Sequence, residues 1–268
     1  MKLAILGSFE LRGLAGKVVD LPGQKDRALL AYLASPPGAA RSREALAGIL
    51  WGEHGEAQAR DSLKHALTRI RQAVGQSALA ADRQSVRLDA LADSIDALSF
   101  ERLARGSASS ALADAVALYR GELLEGLNVR SAQFEDWLLP ERRRLRHLFE
   151  ATLERLIDLF RGEGALDAAR DAASRLIACD PMNEVALRAL MRHNSETGRV
   201  SHAIKLFEQH CDRLRVAPDD ETVALAGAVR RRATVQKPTT TRSPEFVDAA
   251  GAPLSGRDRK STRLNSSH

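Results

Sequence analysis

Residues 57–74 read Ala57-Gln-Ala-Arg-Asp-Ser-Leu-Lys-His-Ala-Leu-Thr-Arg-Ile-Arg-Gln-Ala-Val74, and the fold turns on this stretch. Its apolar members Leu63, Leu67, Ile70 and Val74 step by four, three and four, the period of a helix with one buried stripe. The opposite face carries Arg60, Asp61, Lys64, His65, Thr68, Arg69, Arg71 and Gln72. Four bases stand there against the single acid Asp61, a net +3. Such a face, when it follows a short helix and a tight loop, can lie in the major groove of DNA. There Arg and Lys meet phosphates and guanine edges, and Thr or Gln reads other base positions. Charge patterning alone favours a solvated helix face, so the neighbouring elements decide.

Upstream, Ser42 is placed to cap a helix over 43–51, with Glu44 in its first turn and Leu46, Ile49 and Leu50 facing inward. Gly52 to Gly55 forms the loop. Before it, Ala28, Leu29, Tyr32 and Leu33 give a helix over 24–35, stopped by Ser35-Pro36-Pro37-Gly38. The first 21 residues differ. Lys2 to Leu6, Ser8 to Leu11 and Lys17 to Leu21 are short apolar runs separated by glycines, which predicts a small antiparallel sheet of three strands. Downstream, Ala78 to Leu88 alternates about Asp82-Arg83-Gln84 and predicts a hairpin, with Arg83 and Arg87 placed to touch a neighbouring backbone or minor groove. Sheet, three helices and hairpin in that order describe a winged helix-turn-helix, and this context favours the groove-reading role for helix 57–74.

From 93 to 232 the pattern is wholly helical, broken at Gly106, Gly121 to Gly126, Gly162 to Gly164 and Gly198. Gly164 and Gly198 lie 34 residues apart, as do Ala169 and Ala203; Pro181 and Phe207 fit the same unit. A small residue where two helices touch and a proline after the second are what a 34-residue helical hairpin repeat needs. The match weakens at Pro218, three residues late, and the region 100–160 is expected to add irregular hairpins. After Arg232, Lys237-Pro238-Thr239-Thr240-Thr241 and further Ser, Pro and Gly predict a flexible linker. The closing Lys260-Ser-Thr-Arg-Leu-Asn-Ser-Ser-His is similar to translated vector or adapter sequence, so 233–268 is read as linker plus a truncated, non-native tail.

Composition bounds what remains. At 268 residues the chain has room for about two domains. A 44% hydrophobic and 28% charged content is that of a globular chain, and 4% aromatic residues leave little strand material. The net charge of +5 favours nucleic-acid partners only weakly. No apolar run is long enough for a membrane span or a secretory signal, which predicts a cytoplasmic protein. Cys179 and Cys211 lack metal-ligand spacing and read as small buried hydrophobes. His54-Gly55-Glu56 has no following Pro-Cys-x-x-Cys, so it is no zinc deaminase signature. Asp219-Asp220-Glu221 reads as the acidic first turn of a helix over 220–232 rather than a metal cluster. The run Arg142-Arg143-Arg144 with Arg146 reads as a solvated face or partner contact. No phosphate loop or nucleophile elbow occurs, so no catalytic residue, metal site or cofactor is expected.

The motifs together resemble a known family. Leu6-Gly-Ser-Phe-Glu-Leu, Gln24-Lys-Asp-Arg-Ala-Leu-Leu-Ala-Tyr-Leu-Ala, Leu50-Trp-Gly, Ala59-Arg-Asp-Ser-Leu and Leu67-Thr-Arg-Ile-Arg are similar to the DNA-binding domain of SARP-family bacterial activators, an OmpR-type winged helix. Tyr119-Arg-Gly-Glu-Leu-Leu-Glu-Gly-Leu, Phe134-Glu-Asp-Trp-Leu, Glu141-Arg-Arg-Arg-Leu and Val216-Ala-Pro-Asp-Asp-Glu-Thr resemble the bacterial transcriptional activator domain that follows it. The resemblance covers about 1–232 and implies direct-repeat recognition near a promoter. It also implies a TPR-like domain for dimerisation and RNA polymerase contact. Matched by position, Arg60, Lys64, Thr68, Arg69 and Arg71 fall on the recognition-helix surface, and Trp51 and Leu63 on its support. The wing departs from the family's usual Gly-Tyr-Arg-Leu, reading Ser85-Val86-Arg87-Leu88, and Ala66 stands where a polar residue is common.

The expectation is therefore a mainly α protein with a small β part. An OmpR-like winged helix-turn-helix (1–92) precedes an all-α TPR-like domain (93–232). Its expected role is a DNA-binding transcriptional regulator acting through Arg60, Lys64, His65, Thr68, Arg69, Arg71, Gln72, Arg83 and Arg87. Expected partners are double-stranded DNA, RNA polymerase and a second copy of the chain, with no membrane. The alternative is an interaction module of a truncated signalling protein whose catalytic domain, such as a nucleotide cyclase or an NTPase, is missing.

Overall fold

A computed structural model describes residues 1–13, 16–36, 38–89, 92–213 and 217–236. Strands β1 (Lys2–Ala4) and β2 (Glu10–Arg12) pair antiparallel, with Leu3 opposite Leu11. The expected third strand reduces to a bridge between Arg12 and Val18 and a bond from Val19 N–H to the Leu11 carbonyl. Val18 is 61% exposed and Val19 only half-buried, and the one buried side chain of the run, Leu21, stands at its end, so no alternating buried face pins 17–21 into a ladder.

Three helices follow: α1 (Gln24–Leu33), α2 (Arg43–Trp51) and α3 (Glu56–Val74). The Ser42 hydroxyl accepts the Ala45 N–H at 3.0 Å, which fixes where α2 begins. A two-residue strand that the sequence pattern does not reveal, β3 (Arg41–Ser42), joins β5 (Ser85–Leu88), which also pairs with β4 (Leu79–Ala81). Leu63, Leu67 and Ile70 are buried as the period requires, together with Ala59 and Ala66, while Val74 is only half-buried. This is the winged helix-turn-helix.

The remainder is helical: α4 (Asp96–Ala104), α5 (Ser109–Leu118), α6 (Ala132–Gly162), α7 (Leu166–Cys179), α8 (Glu184–Glu196), α9 (Val200–Arg213) and α10 (Asp220–Gln236). Consecutive helices from α6 to α10 pack as hairpins. Gly164 and Gly198 both carry positive φ (74° and 78°) just after α6 and α8, so the 34-residue spacing marks equivalent turns. Ala169 and Ala203 are buried at equivalent positions in α7 and α9. Helix α10 continues four residues past its expected end at 232, because Ala233 still packs on the cluster of Leu187, Met191, Phe207 and Val229. The rest of the expected linker and tail, from 237, lies outside the described residues.

The two halves share one core, which runs without a break from Leu3 and Leu29 through Phe100 to Phe149. Their junction is made by the N-terminal strand. Leu124 N–H donates to the Ile5 carbonyl at 2.8 Å, and Gly7 N–H donates to the Glu122 carbonyl at 2.9 Å. Gly7 has φ 102°, and a Cβ there would meet Arg120 Cβ at 3.4 Å. A side chain would strain both the backbone and the junction. The Asp96 carboxylate, at the start of α4, accepts Ile5 N–H (2.8 Å) and Leu6 N–H (3.1 Å) and pairs with Arg120 (3.2 Å). Burial pushes this carboxyl's pKa up, against those hydrogen bonds. Across the same junction, the Ser131 hydroxyl donates to the Ile49 carbonyl at 2.6 Å, and Tyr32 meets Trp137 edge-on at 5.0 Å.

Two expectations change here. The basic run on α6 is a solvated face only at the exposed Arg143. Arg142 donates to the carbonyls of Leu123 and Leu124 (2.8 and 3.0 Å), Arg144 pairs with Glu101 and Glu141, and Arg146 pairs with Glu122. Arg142 and Arg146 hold the 119–127 loop against which the N-terminal strand docks, while Arg144 ties α6 to α4 through Glu101. Cys179 lies on the surface at the end of α7, and Cys211 is half-buried, because each falls beside rather than on its helix's buried stripe.

Asp219 caps α10 by accepting the Thr222 N–H at 2.6 Å and pairs with Arg188 at 2.5 Å; Glu221 reaches Arg192 at 2.8 Å. Partial desolvation opposes ionisation of Asp219, but these partners outweigh it and hold the carboxyl at about 2. The lowered value means this group's contribution is intact above the unfolded carboxylate range, near 3.9, and fades as pH falls toward 2. Hydrogen exchange of α10 amides should accelerate over that window. Asp219→Asn should reduce the acid dependence, leaving the part that belongs to Glu221, whose pKa is lowered by Arg192 and Arg188; an unchanged acid profile in the variant would contradict this assignment.

Candidate nucleic-acid interface

Helix α3 packs on α1 and α2 through its apolar stripe, which turns Arg60, Lys64, His65, Thr68, Arg69 and Gln72 outward and leaves Arg71 half-buried. Beside it stands the β4–β5 hairpin. Asp82 shapes its tip by accepting the N–H groups of Gln84 and Ser85 at 2.7 and 2.6 Å, which lowers the Asp82 pKa and leaves Arg83 and Gln84 exposed. Arg43 ties the start of α2 to this hairpin: its N–H donates to the Gln84 carbonyl at 2.9 Å and its guanidinium to the Asp82 carbonyl at 3.2 Å.

The result is a groove of about 550 Å³ lined by Arg60, Asp61, Leu63 and Lys64 of α3, Ser42, Arg43 and Glu44, and Arg83 and Gln84. Arg43 and Gln84 were missed by the sequence reading; the Ser42 cap was the available signal, since it places the next side chain at a helix start. His65 and Arg69 fall on the other side of α3, in a second groove of about 560 Å³ with Gln24, Lys25, Asp26, Trp51 and Ser62. Thr68, Arg71 and Gln72 line neither groove, and Arg87 lies on the outer side of the hairpin.

The expected residues differ in how free they are. Among the described residues, the side chains of Lys64, His65, Arg71, Gln72 and Arg83 make no ion pair or hydrogen bond. Arg60 pairs with Glu56 at 2.7 Å on the open surface, a contact worth little and readily exchanged. Arg87 is gripped by both oxygens of Asp89, and the Thr68 hydroxyl donates to the Lys64 carbonyl. Arg69 is committed most strongly. Its Nε and Nη2 fork onto Asp26 at 2.6 and 2.9 Å, and Asp26 is 1% exposed. This hydrogen-bonded pairing raises the Arg69 pKa further. Arg69 thus joins α3 to α1 while its side chain stays half exposed.

The described residues hold no cluster of three or more His, Cys, Asp or Glu side chains suited to a metal, and no helix among them is long and apolar enough to cross a membrane.

A cationic helix backed by two others, flanked by an arginine-tipped hairpin and joined to a helical repeat domain, defines a winged-helix fold with an α-solenoid partner domain. The family model for the bacterial transcriptional activator domain matches residues 85–230. The chain belongs to that family, and its architecture is that of a SARP-type transcriptional activator. The solved structure of Mycobacterium tuberculosis EmbR in complex with a low-affinity phosphopeptide is similar in fold, with a TM-score of 0.66 at 21% identity. The match covers 86% of this chain and 65% of the EmbR chain, so this chain spans under two thirds of that relative's length. A comparison with curated protein sequences finds no match.

Proposed function

We propose that the protein is a sequence-specific DNA-binding transcriptional activator, with residues 1–92 engaging the duplex and 93–232 serving as the activator domain. The observation that carries this reading is the outward stripe of α3 beside the Arg83 tip, with Lys64, Arg71 and Arg83 uncommitted to any protein partner. Cations held this way are available to displace counterions from phosphates, while Thr68 and Gln72 supply hydrogen-bonding groups for base edges. Arg69 contributes by fixing the helix on α1 and by offering its half-exposed side chain to a phosphate, and His65, Arg60 and Arg87 border the same surface. A single winged helix covers a short half-site, so a homodimer on repeated sites is proposed, with RNA polymerase contacted through the helical domain in the cytoplasm. The 92/93 boundary is functional rather than a gap in packing, given the shared core.

The experiment is a salt titration of the chain's binding to its own upstream DNA. Lys64→Ala with Arg83→Ala should weaken binding tenfold or more and reduce the slope of log K against log salt by roughly one per lost phosphate contact. Undiminished binding and slope would overturn the reading.

A further inference from the structure

Asp61 is the one carboxylate on the outward stripe of α3, in line with Lys64, Thr68 and Gln72 at helical spacing. It lines the wing-side groove with Arg43, Arg60, Lys64 and Arg83, yet among the described residues its side chain has neither an ion pair nor a hydrogen bond. It lies beyond the first turn of α3, which begins at Glu56, so the helix dipole does not account for it. Resting on the DNA-binding reading above, an acid at this place is repelled by every phosphate it approaches. The cations of the groove screen that repulsion without pairing with Asp61, and a base-edge donor can offset it by a direct hydrogen bond.

We propose that Asp61 is a specificity-determining residue that accepts a hydrogen bond from the exocyclic N4 amine of cytosine in the major groove. The four base edges differ in what they offer a carboxylate. Guanine presents N7 and O6 and thymine O4, all acceptors, which repel it. Adenine offers N6 but sets the N7 acceptor beside it. Cytosine alone offers an amine with no acceptor on its own edge. The same side chain that admits cytosine therefore excludes the other bases, and it does so at some cost to overall affinity.

The test selects binding sites from a randomised duplex pool with the full chain, as wild type, Asp61→Ala and Asp61→Asn, followed by affinities on single-base variants of the selected site. Wild type should prefer cytosine at one position by on the order of tenfold. Asp61→Ala should lose that preference alone and bind unselected duplex more tightly. Asp61→Asn should move the preference from cytosine toward adenine, whose N6 and N7 match an amide. A merely structural Asp61 would not produce this shift. Selection profiles identical at every position in all three proteins would overturn the role of Asp61 while leaving DNA binding intact. Absence of duplex binding by the wild-type chain at low salt would overturn the underlying reading as well.

Discussion

Arg69→Ala should lower the unfolding free energy by about 2 to 3 kcal/mol, because it strands the Asp26 carboxylate inside the protein without a partner. The loss of one member from a fully buried pair costs roughly 3 to 5 kcal/mol; the figure is smaller here because Arg69 itself is half exposed. Among the described residues, the two Arg69 contacts are the only hydrogen bonds to Asp26. Arg69→Lys should recover only part of the loss, since an ammonium cannot reproduce the planar fork. Asp26→Asn in the Arg69→Ala background should restore stability by removing the stranded charge. Urea unfolding of wild type and these three variants measures the differences, and a change within about 0.5 kcal/mol for Arg69→Ala would contradict the prediction. The same pair sets the tilt of α3 on α1, so Arg69→Ala should also weaken DNA binding without removing a base contact.

Asp96→Ala should cost about 2 to 4 kcal/mol, because the Ile5 and Leu6 N–H groups lose their acceptor at the junction of the two halves. Hydrogen exchange should show those two amides losing protection while amides of α7 to α9 keep theirs. Equal protection in variant and wild type would refute the role. The pH dependence of this carboxyl runs opposite to that of Asp219. Its raised pKa means its contribution is fully present below the unfolded value, near 3.9, and declines as pH rises through the folded value. Acid therefore weakens the contribution of the carboxyls with lowered pKa, Asp219, Glu221 and Asp82, and not that of Asp96.

Helix α2 was legible to its ends, because Ser42 supplies a cap whose geometry is local. The buried face of α3 and the hairpin were legible for the same kind of reason: a period of 3.6 or 2 is written in neighbouring residues. Strand β3 was not, because two residues carry no period; Arg41 and Ser42 become a strand only when β5 arrives from more than forty residues away. The arginines of the α6 run had the same problem, since the carbonyls that occupy Arg142 belong to a loop some twenty residues upstream.

For the interface, composition and period alone established that α3 has one cationic face and that an arginine stands at the hairpin tip. Local rules suffice for that, because both depend on residues within one or two turns of each other. Only the tertiary structure decided which cations are free. Arg69 and Arg71 look alike in sequence, yet Arg69 meets a buried carboxylate 43 positions away on α1 and Arg71 meets none. The docking of the first strand onto the helical half was likewise decided only by the fold, since ion pairs and backbone bonds between distant segments leave no trace in the order of residues.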